Sequence, residues 1–196
     1  MDRNNLFPVF LKLESLQTLI VGGGNVGHEK LAAILKNSPD ARVTVVARNI
    51  HEPIRALAAE HPAVKLEERN FKLWDLFDKD LILLATDSKS LHETIRKFAR
   101  TKRLLVNVAD TPELCDFYLG SVVTRGNLKI GISTNGKSPT ISKRLREYLE
   151  SAIPEDTNLL LENMQRIRNK IKGDFQKKVK VLNEITGSWL DANQHE

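Results

Sequence analysis

Three glycines at a defined spacing are the residues of this chain that most directly indicate a chemistry. Gly22, Gly24 and Gly27 form the pattern G-x-G-x-x-G between an apolar run, residues 18–21, and a stretch of helical periodicity, residues 28–36. In that strand–turn–helix setting the pattern is typical of dinucleotide binding. The first glycine permits the tight turn, the second lets the backbone approach a pyrophosphate, and the third lets helix and strand pack closely. The pattern therefore predicts a nucleotide cofactor at a helix N-terminus, and with it redox chemistry.

The end of the second predicted strand, residues 42–47, bears on the identity of that cofactor. An Asp or Glu at this point holds the ribose hydroxyls of NAD, whereas an Arg can hold the 2′-phosphate of NADP. Here the strand is followed by Arg48 and Asn49, with no acid. Arg48 taken alone favours NADP, and the alternative interpretation is that its side chain faces solvent. From the residues alone, both interpretations stay open.

Two aspartates follow apolar runs of the kind that form buried strands. Asp87 comes after residues 81–86, and Asp110 comes after residues 104–109. The carboxyl edge of an α/β sheet is where ligands bind, and a carboxylate there can accept a proton as a hydride is removed. The alternative for Asp110 is a structural cap of the turn at Thr111, which is a common use of Asp. For Asp87 we expect a place in the cofactor pocket or a helix-capping role.

A polar loop before the fourth predicted helix carries side chains suited to carboxylates. It offers hydroxyls, an amide and a lysine close to a helix N-terminus, which favours anions. The residues predicted to bind the substrate there are Ser133, Thr134, Asn135, Lys137 and Ser138. The alternative is an ordinary loop in which Ser138 caps the helix and Pro139 begins it. Basic residues also crowd the section after Pro154, where a solvated helix face and an anion-binding surface are the two interpretations.

The elements around these residues predict an α/β fold. Apolar runs alternate with helical stretches up to about residue 110, which indicates a Rossmann-type doubly wound parallel sheet. A hairpin and a helix follow, and then a helical section in which Gly173 separates two helices. We expect a dinucleotide-binding Rossmann domain, a small α+β section whose hairpin pairs with other strands, and a basic C-terminal helical section. Their predicted bounds are residues 1–112, 113–152 and 153–196.

Composition limits the compartment and the partners. The 196 residues carry a net charge of +5, which favours an anionic partner. The single cysteine, Cys115, excludes an internal disulfide and indicates the cytosol, and we interpret it as a packed thiol. No apolar run is long enough to span a membrane, and the first residues lack the pattern of a signal peptide. The 5 histidines are not spaced like metal ligands, so we predict no bound metal. From the cysteine usage and the lack of a signal peptide or membrane span, we expect a cytoplasmic protein.

Six segments carry a further signal through their order and spacing. They are residues 7–11 (Phe-Pro-Val-Phe-Leu), 21–26 with Lys30, 85–87 (Ala-Thr-Asp), 106–110 (Val-Asn-Val-Ala-Asp), 133–139 (Ser-Thr-Asn-Gly-Lys-Ser-Pro) and 145–150 (Leu-Arg-Glu-Tyr-Leu-Glu). Together they resemble the N-terminal half of siroheme synthases, the precorrin-2 dehydrogenase and sirohydrochlorin ferrochelatase family. The resemblance covers nearly the whole chain and is weakest after Pro154.

This resemblance implies a reaction. Members of the family transfer a hydride from precorrin-2, a reduced tetrapyrrole with eight carboxylates, to NAD⁺ and form sirohydrochlorin. Some members then insert Fe²⁺, which is a substrate rather than a bound cofactor, to give siroheme. The family uses NAD without an acid after the second strand, so the resemblance favours NAD over the NADP that Arg48 alone indicates. It also implies a homodimer that exchanges strands of the middle section, and we expect neither nucleic acid nor membrane as a partner.

The resemblance also implies roles for particular residues. The family's essential aspartate stands in an Asn-Val-x-Asp setting, which matches Asp110 and makes it the predicted catalytic residue. Asn107 in the same motif is a predicted substrate contact. The predicted cofactor contacts are Gly22, Gly24, Asn25, Val26, Gly27, Arg48, Asn49, Thr86 and Asp87. Because the chain ends at Glu196, before the methyltransferase domain that some members carry, we expect methylation to be done by another protein.

Two other classes of function compete with this hypothesis. An NAD(P)-binding redox-sensing regulator with a basic nucleic-acid-binding tail would fit the charge, but no helix-turn-helix pairing is evident in the sequence. A dehydrogenase of small metabolites would carry a Tyr-x-x-x-Lys pair, whereas Tyr118 is followed by Val122 and Tyr148 by Ala152. Both alternatives leave Asp110 and the polar loop without a role.

Overall fold

The chain forms two compact units in the computed structural model, which describes residues 3–155, 157–171 and 175–191. The first unit comprises Met1–Ser121 and Ser133–Pro139, and the second comprises Val122–Ile132 and Thr140–Glu196. The first unit therefore includes the polar loop predicted to bind substrate. The division of the chain into three sections by role stays a prediction. Among the helices of these described ranges, none is both long and apolar enough to cross a membrane.

The first unit is built on five parallel strands that pair in the order β3-β2-β1-β4-β5. The strands are β1 (Gln17–Val21), β2 (Arg42–Ala47), β3 (Val64–Glu68), β4 (Leu81–Leu84) and β5 (Leu105–Val108). The helices of this unit are α1 (Asn25–Asn37), α2 (Glu52–Glu60) and α3 (Lys89–Lys102). The predicted Rossmann-type parallel sheet is confirmed, and its strand order reverses between β1 and β4.

The sheet is buried on both faces along β1 and β4, which is why these two strands are continuous apolar runs, whereas the edge strand β3 is mostly exposed. Leu19 and Ile20, adjacent in β1, are each 0% exposed and belong to the cores on opposite faces. Helices α1 and α2 pack on the face of Ile20 through residues such as Leu31 and Ile54, and α3 packs on the face of Leu19 through Ile95. Each such side chain contributes about 1.5–3 kcal/mol on burial. These two cores fix the strand ends that carry the site.

The first helix begins earlier than its periodicity predicts. Helix α1 starts at Asn25, three residues before the predicted start at His28. The reason is that Gly22, with a φ of +127°, completes the turn, and Gly24 O already accepts the first helical hydrogen bond, from His28 N at 2.9 Å. At the start of α3, Ser88 rather than Asp87 is the N-cap, because its hydroxyl accepts a hydrogen bond from Leu91 N in the first turn.

A hairpin and helices make up the rest of the chain. Strands β6 (Ser121–Arg125) and β7 (Leu128–Ile132) form the predicted hairpin, which turns at Gly126 with a φ of +55°. The helices are α4 (Pro139–Ala152), α5 (Thr157–Lys170) and α6 (Phe175–Asp191). The Arg125 guanidinium donates to the backbone carbonyl of Glu150 and so joins the hairpin to α4. Gly173, predicted to separate the last two helices, lies outside the described residues.

A charged pair fixes the segment that follows Asp110. The guanidinium of Arg96 in α3 donates from both terminal nitrogens to the Asp116 carboxylate, which also accepts from Val106 N at 3.0 Å. The hydrogen bonds from Arg96 hold the pKa of Asp116 below its ordinary value. This carboxylate therefore ties α3 and β5 to residues 112–118.

We expect Asp116→Asn to lower the free energy of unfolding by about 1–2 kcal/mol at neutral pH, because the charge-assisted hydrogen bonds from Arg96 are lost. Folding lowers the pKa of Asp116, so the pair stabilises the native state at pH values above the pKa that this carboxyl has in the unfolded chain. The stabilisation is lost as the pH falls through the pKa that the carboxyl has in the folded protein. The difference between variant and parent should therefore shrink below about pH 4. Denaturant unfolding across this pH range measures it. Asp40→Asn, at an exposed aspartate, is the control, and an equal effect there would contradict the assignment.

Candidate functional site

Three loops meet at the carboxyl edge of the sheet, at the point where the strand order reverses. The loop after β1 is bonded to β2 through Gly22 N and Val46 O, which lie 3.0 Å apart. It is bonded to the loop after β2 through His51 N and Gly23 O, which lie 2.9 Å apart. On its other side it packs against Ala85, where β4 ends. In open α/β sheets this reversal point is where ligands bind.

Two of the motif glycines serve the close packing of these loops. A Cβ on Gly22 would lie 2.2 Å from Ala85 O, and the φ of +127° is itself unfavourable for any other residue. A Cβ on Gly27 would lie 2.2 Å from Gly22 O, so this glycine lets α1 approach the turn. Gly23, which the motif leaves unspecified, has equally little room, because its Cβ would lie 2.3 Å from Asn49 O. At these positions the protein's own packing requires glycine.

Gly24 differs from its neighbours, and the difference indicates where a ligand fits. The nearest atom to a Cβ at Gly24 would be His51 Cε1, at 3.9 Å, so the protein itself would tolerate a side chain there. Gly24 is also the N-cap of α1, and it has no side chain with which to bond the first amides of the helix, at Asn25 and Val26. Open space in front of a helix N-terminus suits a pyrophosphate. These residues therefore fit the dinucleotide that the motif predicts.

Arg48 and Asn49 follow β2, as predicted, and both are exposed at this edge of the sheet. The Arg48 guanidinium has a partner within the protein, because its Nε donates to Asn70 Oδ1. Asn70 lies just after β3, so this hydrogen bond directs the guanidinium towards the neighbouring strand end. Besides the two interpretations that the sequence left open, Arg48 therefore has a structural role as a link between two strand ends.

Thr86 and Asp87 follow β4 at the same edge. The Thr86 hydroxyl lies 2.9 Å from Nε2 of His92 in α3. His92 is only 4% exposed, and burial lowers its pKa, so a neutral imidazole orients this hydroxyl. Asp87 is exposed. Thr86 and Asp87 thus lie at the carboxyl edge of the sheet, where the predicted cofactor contacts would have to be. The hydrogen bond with His92 fixes the orientation of the Thr86 hydroxyl.

Asp110 lies two residues after the end of β5, which is the neighbour of β4 in the sheet. Its φ of +56° is a left-handed conformation that Asp tolerates better than most residues. The residue is exposed, and within the described part of the chain its carboxylate makes no hydrogen bond. The capping alternative has no support: Leu114 N and Thr111 O close the turn at 3.0 Å, and the Thr111 hydroxyl donates to Ala109 O. Asp110 therefore presents an accessible carboxylate at the carboxyl edge of the sheet.

Asn107 and Cys115 hold the backbone on either side of Asp110. Asn107 is 5% exposed, and its Nδ2 donates to Phe117 O at 2.8 Å. The Cys115 sulfur accepts from Val108 N and donates to Val108 O, each at 3.2 Å, and burial raises the pKa of this thiol. The packed role predicted for Cys115 is confirmed. The substrate contact predicted for Asn107 stays a prediction, and its amide nitrogen already serves the fold.

The polar loop predicted to bind substrate is shaped by its own side chains. Ser133 Oγ accepts from Asn135 N at 3.2 Å. Thr134 Oγ1 accepts from Ser138 N at 3.3 Å and donates to Ser138 O at 3.1 Å. The loop turns at Asn135, whose φ is +54°. These hydrogen bonds pre-shape the loop, and the substrate contacts of its residues, Lys137 included, stay predictions.

Three residues of this edge escaped the sequence analysis. Gly23, His51 and His92 each contact a predicted site residue or its loop. For Gly23 the run of three consecutive glycines was a usable signal, because the motif needs only two of them. The histidines carried no such signal, since their roles depend on contacts between loops that are separate in sequence. Over the described ranges, no group of His, Cys, Asp and Glu side chains could hold a metal ion.

Two protein-family models match this chain. One, described as "Putative NAD(P)-binding", matches residues 9–121, which is more than half of the chain. The chain belongs to this family. A second model, described as "Sirohaem biosynthesis protein central", matches residues 125–152 of the same chain. The resemblance to the siroheme synthase family, predicted from the sequence, is thereby confirmed.

Curated relatives of this chain extend the match. The siroheme synthase of Psychrobacter cryohalolentis is 36% identical over 185 residues, which cover 94% of this chain and 34% of that protein. The siroheme synthase of Pseudoalteromonas atlantica is 36% identical over 169 residues, which cover 86% of this chain and 36% of that protein. The chain thus spans about a third of the length of these curated relatives. The solved structure of SirC, precorrin-2 dehydrogenase, has a TM-score of 0.71 and 25% identity, and the match covers 92% of this chain and 89% of that chain.

We expect alanine at Gly24 and alanine at Gly22 to have different consequences. Gly24→Ala should keep the thermal midpoint and weaken NAD⁺ binding about tenfold or more, because the methyl group fills the space in front of α1. Gly22→Ala should lower the free energy of unfolding by about 2 kcal/mol or more, because of the clash with Ala85 and the left-handed backbone. Thermal unfolding and calorimetric titration with NAD⁺ separate the two effects. Gly131→Ala, where a Cβ would meet nothing within 4 Å, is the control, and unchanged binding in Gly24→Ala would place the pyrophosphate elsewhere.

Proposed function

We propose that this chain oxidises precorrin-2 to sirohydrochlorin with NAD⁺, in the biosynthesis of siroheme. One juxtaposition carries the proposal: the open space at Gly24 and the accessible carboxylate of Asp110 lie at the same edge of one sheet. The family matches and the likeness to SirC, precorrin-2 dehydrogenase, support the choice of substrate. In this dehydrogenation the substrate loses one hydride and one proton.

Two sets of residues have different roles in this reaction: one set binds the dinucleotide, and Asp110 transfers the proton. The turn at Gly24 and the amides of Asn25 and Val26 hold the pyrophosphate, and Thr86 lies beside it after β4. NAD⁺, when bound, supplies the acceptor for the hydride. Asp110 acts as the general base that accepts the proton lost by the substrate. Its exposure leaves the carboxylate open to a substrate that lies along the edge of the sheet.

We propose NAD rather than NADP as the cofactor. Arg48 follows β2, where an NADP-binding arginine would stand, but its Nε is engaged with Asn70 Oδ1. A guanidinium directed at a neighbouring loop is a poorer partner for a 2′-phosphate than a free one. The resemblance to siroheme synthases, which implies NAD, supports the same choice.

The charge of the chain supports a polycarboxylate substrate. A net charge of +5 raises the local concentration of an anion near the protein. We assign the acetate and propionate side chains of the tetrapyrrole to the polar loop at residues 133–138, which is already shaped by internal hydrogen bonds. A loop ordered in advance loses less entropy when it binds.

An anaerobic absorbance assay with enzymatically generated precorrin-2 tests the reaction. We expect the spectrum of sirohydrochlorin to appear together with reduced NAD, faster than in a control without enzyme. Replacement of NAD⁺ by NADP⁺ should slow the oxidation. Oxidation no faster than the control with either nucleotide would overturn the proposed reaction. Fe²⁺ added last tests the second activity that the resemblance implies, which would convert the product to siroheme faster than the control.

Asp110→Asn should lower kcat by about 10²- to 10⁴-fold and leave the Kd of NAD⁺ unchanged, because it removes the general base but not the dinucleotide site. Steady-state kinetics and calorimetric titration measure the two quantities. The matched control is Glu113→Gln, which removes a negative charge from an exposed residue three positions along. The control should keep its activity, and full activity in Asp110→Asn would remove this residue from the mechanism.

We also propose that the chain is a cytoplasmic homodimer. Strands β6 and β7 pair only with each other in the described part of the chain, and a lone two-stranded sheet is marginally stable. Residues of both strands are nonetheless half-buried, and Val123 is 1% exposed. A second copy that contributes strands to this sheet would complete it, as the resemblance implies.

Sedimentation equilibrium of the purified chain tests the dimer. We expect a mass of about twice the 22.2 kDa of one chain, at micromolar concentration, because the open strands of the hairpin pair with those of a second copy. The mass of one chain throughout that range would contradict the proposal.

A further inference from the structure

The short connection between β3 and β4 leaves part of the sheet without a covering helix. Residues 69–80 make this crossover with one 3₁₀ helix of four residues, Leu73–Leu76. Helix α3 packs on the same face beside β5. A cavity of about 600 Å³ lies on this face over β1, β2 and β3. Its size falls in the range of small-molecule sites.

Strand register lines up the polar residues of this cavity on one face. Leu19 in β1 pairs with Thr44 in β2, and Thr44 pairs with Lys65 in β3. Residues two apart on a strand share a face, so Arg42 and Glu67 lie on it as well. All five residues line the cavity. Their side chains are therefore presented by the sheet, which is the most rigid part of the unit.

The cavity carries a surplus of positive charge. Arg69 lies between the two acids of the lining, with Nη2 at 2.7 Å from Asp75 Oδ1 and Nε at 3.4 Å from Glu67 Oε2. The remaining cations of the lining have no acidic partner in the ranges that the structure describes: Arg42, Lys65 and Lys79. The lining therefore holds four cations and two acids, and this excess of positive charge favours anions.

Two aromatic rings stand at the cavity, Trp74 and Phe77, which are 59% and 54% exposed. The Nζ of Lys72 lies over the Trp74 ring, 4.6 Å from its centroid, so one face of this ring already holds a cation. Leu19 and Val46 lie beneath the cavity but are only 0% and 1% exposed, so the apolar contacts it offers come from the two rings. The Phe77 ring also packs edge-on against Phe98, with ring centroids 6.0 Å apart, and still stays more than half exposed. Exposed aromatic rings suit the stacking of another flat ring.

We propose that this cavity is a second ligand site, which takes a flat ring system bearing two or more carboxylates or phosphates. The ring stacks on Trp74 and Phe77, and the anionic groups pair with Arg42, Lys65 and Lys79. The cations that would pair with the ligand lie towards the amino ends of the strands, since Arg42 begins β2, Lys65 is the second residue of β3 and Lys79 precedes β4. The dinucleotide edge is at the opposite, carboxyl ends, which the lining of the cavity reaches through Val46, Glu67 and Arg69. The proposal does not depend on the oxidation, since it concerns binding on another face of the sheet.

Calorimetric titration of the full chain, with its dinucleotide site saturated by NAD⁺, tests the proposal with two probes. Uroporphyrin represents a ring with carboxylates, and ATP represents a ring with phosphates. For whichever of the two probes binds the cavity, the double variant Arg42→Gln/Lys65→Gln should weaken binding about tenfold or more, because charge-assisted contacts are lost. Lys36→Gln/Lys97→Gln removes the same charge from exposed positions on α1 and α3, and it should bind that probe like the parent.

The outcomes separate the sources of the ligand. A selective loss for uroporphyrin supports a polycarboxylate ring, and a selective loss for ATP supports a nucleotide. Equal affinities in the cavity variant and its control, or no binding of either probe to the parent, would overturn the site. Thermal unfolding checks that the double variant folds, and Trp74→Leu, which keeps an apolar side chain but removes the stacking ring, repeats the test independently of charge.

Discussion

The close approach of the loops after β1, β2 and β4 is the constraint on which the rest of this structure depends. The carbonyl of Ala85 and the carbonyl of Gly22 each lie where a Cβ would stand on a motif glycine, 2.2 Å away in both cases. No side chain fits there, so the backbone of the turn is brought directly to the edge of the sheet. The same turn aims α1 so that its first amides face the space left by Gly24. Packing within the protein thus creates the open position that a pyrophosphate can use.

The parallel sheet converts that local constraint into a site. Because β1 lies between β2 and β4, the loops that follow these three strands come together at one edge of the sheet. The loop after β5 adds Asp110 at the same edge. The left-handed backbone of Asp110 costs of order 1 kcal/mol or more, and such a conformation persists where its surroundings determine it. Here Arg96 holds Asp116, and Asn107 holds the carbonyl of Phe117. The segment after β5 is therefore fastened by its flanks while the carboxylate stays exposed.

The parts of the fold that follow from local pattern were predictable. The strand predicted at residues 42–47 has those bounds, because a buried strand is a continuous run of apolar or β-branched residues. The start of α1 was missed by three residues, since Asn25 and Val26 carry no helical periodicity of their own. The 3₁₀ helix Leu73–Leu76 was missed as well, because its apolar residues are too few to show a period. Of the site residues, the glycines and Asp110 were predictable from motif and resemblance.

What the sequence by itself determined is the class of the fold and the class of its ligand. Apolar runs alternating with helices, and glycines at the spacing of Gly22, Gly24 and Gly27, are local properties of the chain. The tertiary structure alone decided which glycine faces open space, that His92 orients Thr86, and that a cationic cavity lies over β1, β2 and β3. The physical reason is that each of these facts is a distance between segments remote in sequence. Such distances are set by the order in which the strands pair and by the length of the crossovers between them. Neither the strand order nor the path of the crossovers can be inferred from a single stretch of residues.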